Sequence, residues 1–198
     1  MSLVIPAKSD YDNKPLLRWQ QQCEEHLRLL LNEFEFRHPK GVHFSYFKIL
    51  RSVGEPSQVA QVWDDNWTLH VQCVWHGDEE GKQKYRLSPE HALISIDIER
   101  SQYAAFKARE ISGLQREVLA RIKPFAERMM NSNITVRGMN GAGHHLIWEP
   151  IAFCPDSNDD ILRVAERMAI YMKAFYQPAA QAMHDWACQS GATIEIAP

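Results

Sequence analysis

Asp97 and Glu99 stand two residues apart in Ile94-Ser95-Ile96-Asp97-Ile98-Glu99, where three isoleucines alternate with polar residues. Alternation with a period of two marks a β-strand, so the two carboxylates belong to one of its faces. His70 and His76 share one parity along Trp67–His76, against Leu69, Val71, Cys73 and Trp75 on the other. His145 and Glu149 share a parity along His144–Phe153. If these faces coincide, carboxylates and imidazoles converge in one patch. Oxygen and nitrogen donors of that kind hold a divalent metal or act as general acid and base. The enzymatic reading is therefore a small metal-dependent hydrolase or nuclease, with Asp97, Glu99, His70 and His145 as catalytic candidates and Asp97, Glu99 and His145 as metal ligands. The competing reading is a solvated sheet face, which produces the same alternation with no chemistry attached.

Other constellations are less specific. A restriction-type nuclease wants a lysine after its acidic pair, and Ser95–Arg100 supplies only Arg100. Gly138-Met139-Asn140-Gly141-Ala142-Gly143 could cradle a phosphate, but no helix follows it and the phosphate-loop lysine is missing. Asn140-Gly141 between two strands reads instead as a hairpin turn. Cys23, Cys73, Cys154 and Cys188 form no C-x-x-C pair, which argues against a zinc ribbon or disulfide scaffold. They read as reduced and mostly buried, with Cys73 and Cys154 as inert thiols. Trp63, Trp67, Trp75 and Trp148, with Tyr46 and Phe47, fall on strands, where aromatics stack bases or fill a core; the core is favoured. Arg51, Arg86, Arg100 and Arg137 at strand ends fit phosphate contacts and a solvated rim equally well.

The elements that must position these residues follow from periodicity. Lys14–Phe36 predicts a helix with Leu16, Cys23, Leu27, Leu30, Leu31 and Phe34 on one stripe, capped by Asp12 or Asn13. Strands are expected over His43–Arg51, Gln58–Trp63, Trp67–His76, Tyr85–Leu87 and from His91, joined as an antiparallel meander. A helix starts at Ser101 and runs to about Met130, with a kink or break at Pro124. Asn133–Arg137 and His144–Phe153 pair across the glycine-rich turn. A last long helix, capped by Ser157, Asn158 or Asp159 and bent at Pro178, ends at Gly191, before a strand over Ala192–Ile196. Long amphipathic helices need a surface to cover their stripe. The expected fold class is thus α+β, an antiparallel sheet with long helices packed on one face. The 198 residues read as a single domain, with residues 1–13 a loose N-terminal segment.

A net charge of −3 gives no whole-domain signal for nucleic acid. No leader segment and no run approaching the about 20 apolar residues of a spanning helix is visible, so a cytoplasmic protein away from the membrane is expected. The final helix carries Met168, Tyr171, Met172, Phe175, Tyr176, Met183 and Trp186 on more than one side, which suggests a second subunit and hence a homodimer.

From Leu93 to Ala179 the order of elements resembles an uncharacterised bacterial domain associated with restriction-type endonucleases. The shared features are a strand ending in acidic residues, a long helix, a hairpin, a Trp148-x-Pro150 strand end and a final helix with Phe175. The resemblance implies association with mobile-element or defence systems and assigns no catalytic residue. The leading expectation is a cytoplasmic, non-enzymatic binding module that contacts a partner protein, itself or nucleic acid and needs no cofactor. The alternative is the hydrolase or nuclease with its divalent metal.

Overall fold

The computed structural model describes residues 2–4, 17–32, 36–37, 43–44, 48–53, 57–63, 69–76, 88–98, 108–129, 135–136, 145–190 and 193–195. Three helices, α1 (Arg18–Leu31), α2 (Ala108–Arg128) and α3 (Asn158–Ser190), lie in this set. Six strands form the main sheet: β4 (Lys48–Val53), β5 (Ser57–Trp63), β6 (Leu69–His76), β7 (His91–Ile98), β8 (Thr135–Val136) and β9 (His145–Ala152). Their order is β4-β5-β6-β7-β9-β8, and every neighbouring pair is antiparallel. The first four strands are the expected meander. β9 then returns along β7 after the chain has passed through α2, and this places β7 at the centre of the sheet.

The helices pack on one face. α3 lies over β6 and β7, flanked by α1 over β5 and by α2 over β9. That face of the sheet carries Ala60, Val62, Val71, Cys73, Ala92, Ile94, Ile96 and Ile147, all buried. They join Cys23, Leu27 and Leu31 of α1 and Leu114, Val118 and Ile122 of α2 in one core. The 3.6-residue stripe of each helix thus meets the period-two stripe of the strands. This is the α+β architecture expected from the sequence.

The central position of α3 explains its composition. Met168, Tyr171, Met172, Phe175, Tyr176, Ala179, Ala180 and Met183 are buried on a helix that has the sheet beneath it and a helix on either side. The apolar surplus that suggested a second subunit is therefore covered within the chain. Burial also explains why α3 continues through Pro178 and α2 through Pro124. An interior proline costs a helix about 3 kcal/mol. Fully burying Phe175, Tyr176 and Ala179 beside Pro178 contributes about 1.5–3 kcal/mol for each large side chain, enough to hold the turn. Ser157 caps α3 as expected, its Oγ accepting the Asp160 amide at 3.3 Å.

Several details depart from the sequence reading. α1 opens at Arg18 rather than Lys14, and the Gln20 side chain accepts the Leu17 amide at 3.0 Å in place of an Asp12 or Asn13 cap. The run His43–Arg51 is two strands, β3 (His43–Phe44), paired with β2 (Phe36–Arg37), and β4. Ser2–Val4, expected to be loose, forms β1 and pairs in parallel with β10 (Thr193–Glu195). Val4 and Ile194 give this small ribbon the branched residues that favour strands. The expected strand Tyr85–Leu87, the start of α2 at Ser101 and the turn Gly138–Gly143 lie outside the described residues.

The thiols divide into two classes. Cys23 and Cys73 are buried; Cys154 and Cys188 are exposed, which corrects the inert, buried reading of Cys154. Cys154 lies past the end of β9, after Phe153, in the connection to α3. Burial, with a smaller contribution from Glu24, pushes the Cys23 thiol up to about 12. Burial followed by the neighbouring Cys23 raises Cys73 as well. At pH 8 an alkylating reagent is expected to modify Cys154 and Cys188 within minutes and to spare Cys23 and Cys73 until the chain is unfolded, as read by mass spectrometry. The raised Cys23 value stabilises the fold below the ordinary thiol value of 9.0, and this contribution is lost as pH rises towards about 12.

Candidate functional site

Two polar constellations stand out, one on each face of the sheet. The first is built across β6 and β7. The register sets His70 opposite Asp97 and Gln72 opposite Ser95. All four therefore share the face turned away from the helices. Ser95 Oγ donates to Asp97 Oδ2 at 3.2 Å, Gln72 Nε2 donates to the same oxygen, and His70 Nε2 lies 3.6 Å from it. The sequence thus correctly brings His70 and Asp97 together. It does not foresee Gln72 and Ser95, whose roles were hidden because amides and hydroxyls alternate on any solvated strand. The face is not solvated here: Asp97 and Ser95 are 0% exposed and His70 2%. A carboxylate without solvent needs donors, and two neutral ones and an imidazole surround it.

The remaining candidates fare differently. The ladder between β7 and β9 slips at Ile96/Asp97, so that Ile94 faces Glu149 and Ile96 faces Ile147, while Asp97 faces His145. Ile94 and Asp97 belong to opposite faces, so this bulge parts Glu149 from His145: Glu149 goes to the helix side, and His145 takes the position opposite Asp97. His145 holds the register position beside Asp97. Glu99 lies outside the described residues. Among the described residues, no group of three or more His, Cys, Asp or Glu is placed to hold a metal ion.

The second constellation lies where β9 meets α3. Glu149 is on the helix side, 6% exposed, and Arg167 closes a bidentate pair on it: Nε donates to Oε1 and Nη2 to Oε2 at 3.1 Å. The guanidinium also stands 5.5 Å from the centre of the Tyr171 ring. The hydrogen bond to Glu149 raises the Arg167 pKa further, against the opposing effect of burial. Burial, followed by the Glu149 charge, drives the Tyr171 phenol far above its ordinary value. The Tyr171 hydroxyl lies beside Glu149 but meets no described residue at full hydrogen-bonding geometry. A buried, unsatisfied hydroxyl costs about 1–3 kcal/mol. Tyr171→Phe is therefore expected to leave stability unchanged or to raise it by up to about 1 kcal/mol in urea unfolding, against the usual loss on altering a buried residue.

Above this pair a groove of about 340 Å³ opens between Glu149–Ala152 of β9 and Arg163, Glu166, Arg167 and Ile170 of α3. Arg163 Nη2 donates to the Ala152 carbonyl at 2.8 Å and to Asp160 Oδ1 at 2.7 Å. Ile170 is 43% exposed. Among the described residues, β8 pairs with Ile147 and Trp148 of β9. The Phe153 amide donates to the Glu90 carbonyl. By alternation the backbone of Ile151 and Glu149 faces β7, and that of Ala152 and Pro150 faces outward. Pro150 thus loses no ladder bond.

No helix among the described residues is long and apolar enough to cross a membrane. Comparison with protein-family models, curated proteins and solved structures finds no match.

Proposed function

We propose that this chain is a non-enzymatic binding module acting through its surface rather than through the carboxylate on the sheet. The observation that supports this is the burial of Asp97, whose Oδ2 is already engaged by Ser95 and Gln72. A hydrolytic centre must admit water and substrate, and a metal ligand must offer an oxygen not already satisfied. Among the described residues, a concave surface lies at β9 and α3, where charged and apolar groups meet solvent together. A cytoplasmic accessory role beside mobile-element or defence enzymes fits such a module and belongs to the same proposal. Light scattering over a wide concentration range, together with mobility shifts on nucleic acid at low salt, tests how it acts. Self-association or a salt-dependent shift would identify the contact. A monomer with no shift would exclude both and leave a partner protein.

One observation favours the hydrolase reading: His70 and Asp97 do converge, and His145 holds the next register position. That reading requires divalent metal to bind at Asp97, and metal titration separates the two.

A further inference from the structure

We infer that two copies of this chain pair through the solvent side of α3, lying antiparallel about a two-fold axis at Glu166; this rests on the reading of the chain as a binding module and makes its partner a second copy. The exposed apolar groups gather in one place. Among the described residues, the large apolar side chains left in solvent are Leu29, Leu162 and Ile170. Leu162 and Ile170 are on α3, and Leu29, 71% exposed, is on α1, which lies beside α3. Arg18 and Gln22 of α1 both reach Asn158, the first residue of α3, so the two helices set out from one end of the layer. Seven residues beyond Gln22, about 10 Å along the helix, Leu29 comes level with the stretch between Leu162 and Ile170. The three groups thus share one outer surface, whereas apolar side chains scattered singly would need no explanation.

The order of residues along α3 selects the occupant. Asp159, Leu162, Glu166, Ile170 and Lys173 are all exposed and follow at spacings of three, four, four and three, the repeat of one helix face. The pattern is symmetric about Glu166 in position and opposite in charge. Apolar groups stand four residues to either side, about 6 Å away, and an acid and a base stand seven residues to either side, about 10 Å away. A two-fold interface between identical chains sets residue i against j and j against i. Laid antiparallel about Glu166, Leu162 meets the partner's Ile170 and Asp159 meets the partner's Lys173, and the axis repeats both contacts. Neither Asp159 nor Lys173 is in an ion pair with a described residue, so both charges are open to this contact. A parallel pairing would set acid against acid and base against base, and a partner of uniform charge would satisfy only half of the stripe. The two Glu166 carboxylates face each other across the axis and oppose the contact, which makes the dimer weak and reversible.

Sedimentation equilibrium of the full chain, carried to millimolar concentration, tests this. The unaltered chain is expected to form a dimer and nothing larger, because a two-fold contact closes on itself. Lys173→Asp and Asp159→Lys each turn two attractive pairs into repulsive ones and should weaken the dimer about tenfold, while both changes in one chain should restore it. Asp159 stands in the first turn of α3, where an acid suits the helix end, so thermal unfolding of each variant shows that it is folded. Glu166→Gln should tighten the dimer several-fold, and Ile170→Ser should loosen it. A chain that stays monomeric throughout would overturn the inference and leave the binding module to a different partner. A dimer indifferent to the charge changes, or one that the double change fails to restore in a folded chain, would place the contact on another surface and overturn it as well. The binding-module reading falls separately, to metal binding at Asp97.

Discussion

Asp97→Ala is expected to lower stability by about 3–5 kcal/mol in urea unfolding, because it strands two buried donors and an imidazole that now share one acceptor. Ser95 Oγ and Gln72 Nε2 both donate to Asp97 Oδ2, and solvent reaches none of these groups freely. Asp97→Asn keeps the shape but offers an amide in place of one carboxylate oxygen, and should cost less, about 1–2 kcal/mol. Had Asp97 stood on a solvated face, as the alternation alone suggests, either change would fall within about 0.5 kcal/mol. The size of the loss therefore reports directly on whether the carboxylate is part of the framework.

Glu149→Ala should cost about 2–4 kcal/mol, for a related reason on the other face of the sheet. The substitution leaves the Arg167 guanidinium, its side chain 17% exposed, without its bidentate partner. Because that guanidinium retains some contact with solvent, the loss falls below that of a fully enclosed pair. Replacing both partners, Glu149→Leu with Arg167→Met, should recover most of the loss, since matched apolar side chains avoid the desolvation cost altogether. A double-mutant cycle measured by denaturant unfolding would show this as a large coupling energy between the two sites. Equal and additive losses would mean that the pair contributes nothing beyond its separate side chains.

How much of this was visible in the residues can be seen at β7 and α3. The alternation Ile94-Ser95-Ile96-Asp97 gave the strand, its faces and its placement under the helices, because a half-buried strand has to alternate. The same alternation could not show that the second face is also enclosed, since enclosure depends on what lies across it rather than on the strand itself. Parity gave the meeting of His70 and Asp97 across one hairpin. It failed for His145 and Glu149, because a single slipped residue at Ile96/Asp97 exchanges the faces and leaves no mark in composition. On α3 the methionines and aromatics make an apolar surplus that, from periodicity alone, suggests a second subunit. They are the residues of a helix with neighbours on three sides. Periodicity tells how wide a stripe is and not which part of the structure covers it. The pair Glu149–Arg167 joins a strand and a helix 18 residues apart, and nothing local distinguishes it from two ordinary surface charges.

Thermal unfolding with Mn²⁺ or Zn²⁺, on the unaltered chain and on Asp97→Asn, is the most direct trial of the account. An engaged, enclosed Asp97 predicts that neither ion moves the transition of the unaltered chain, because an ion that does not bind the native state cannot stabilise it. A rise in the transition that grows with ion concentration and vanishes in Asp97→Asn would place a metal at this carboxylate and return the chain to the hydrolases.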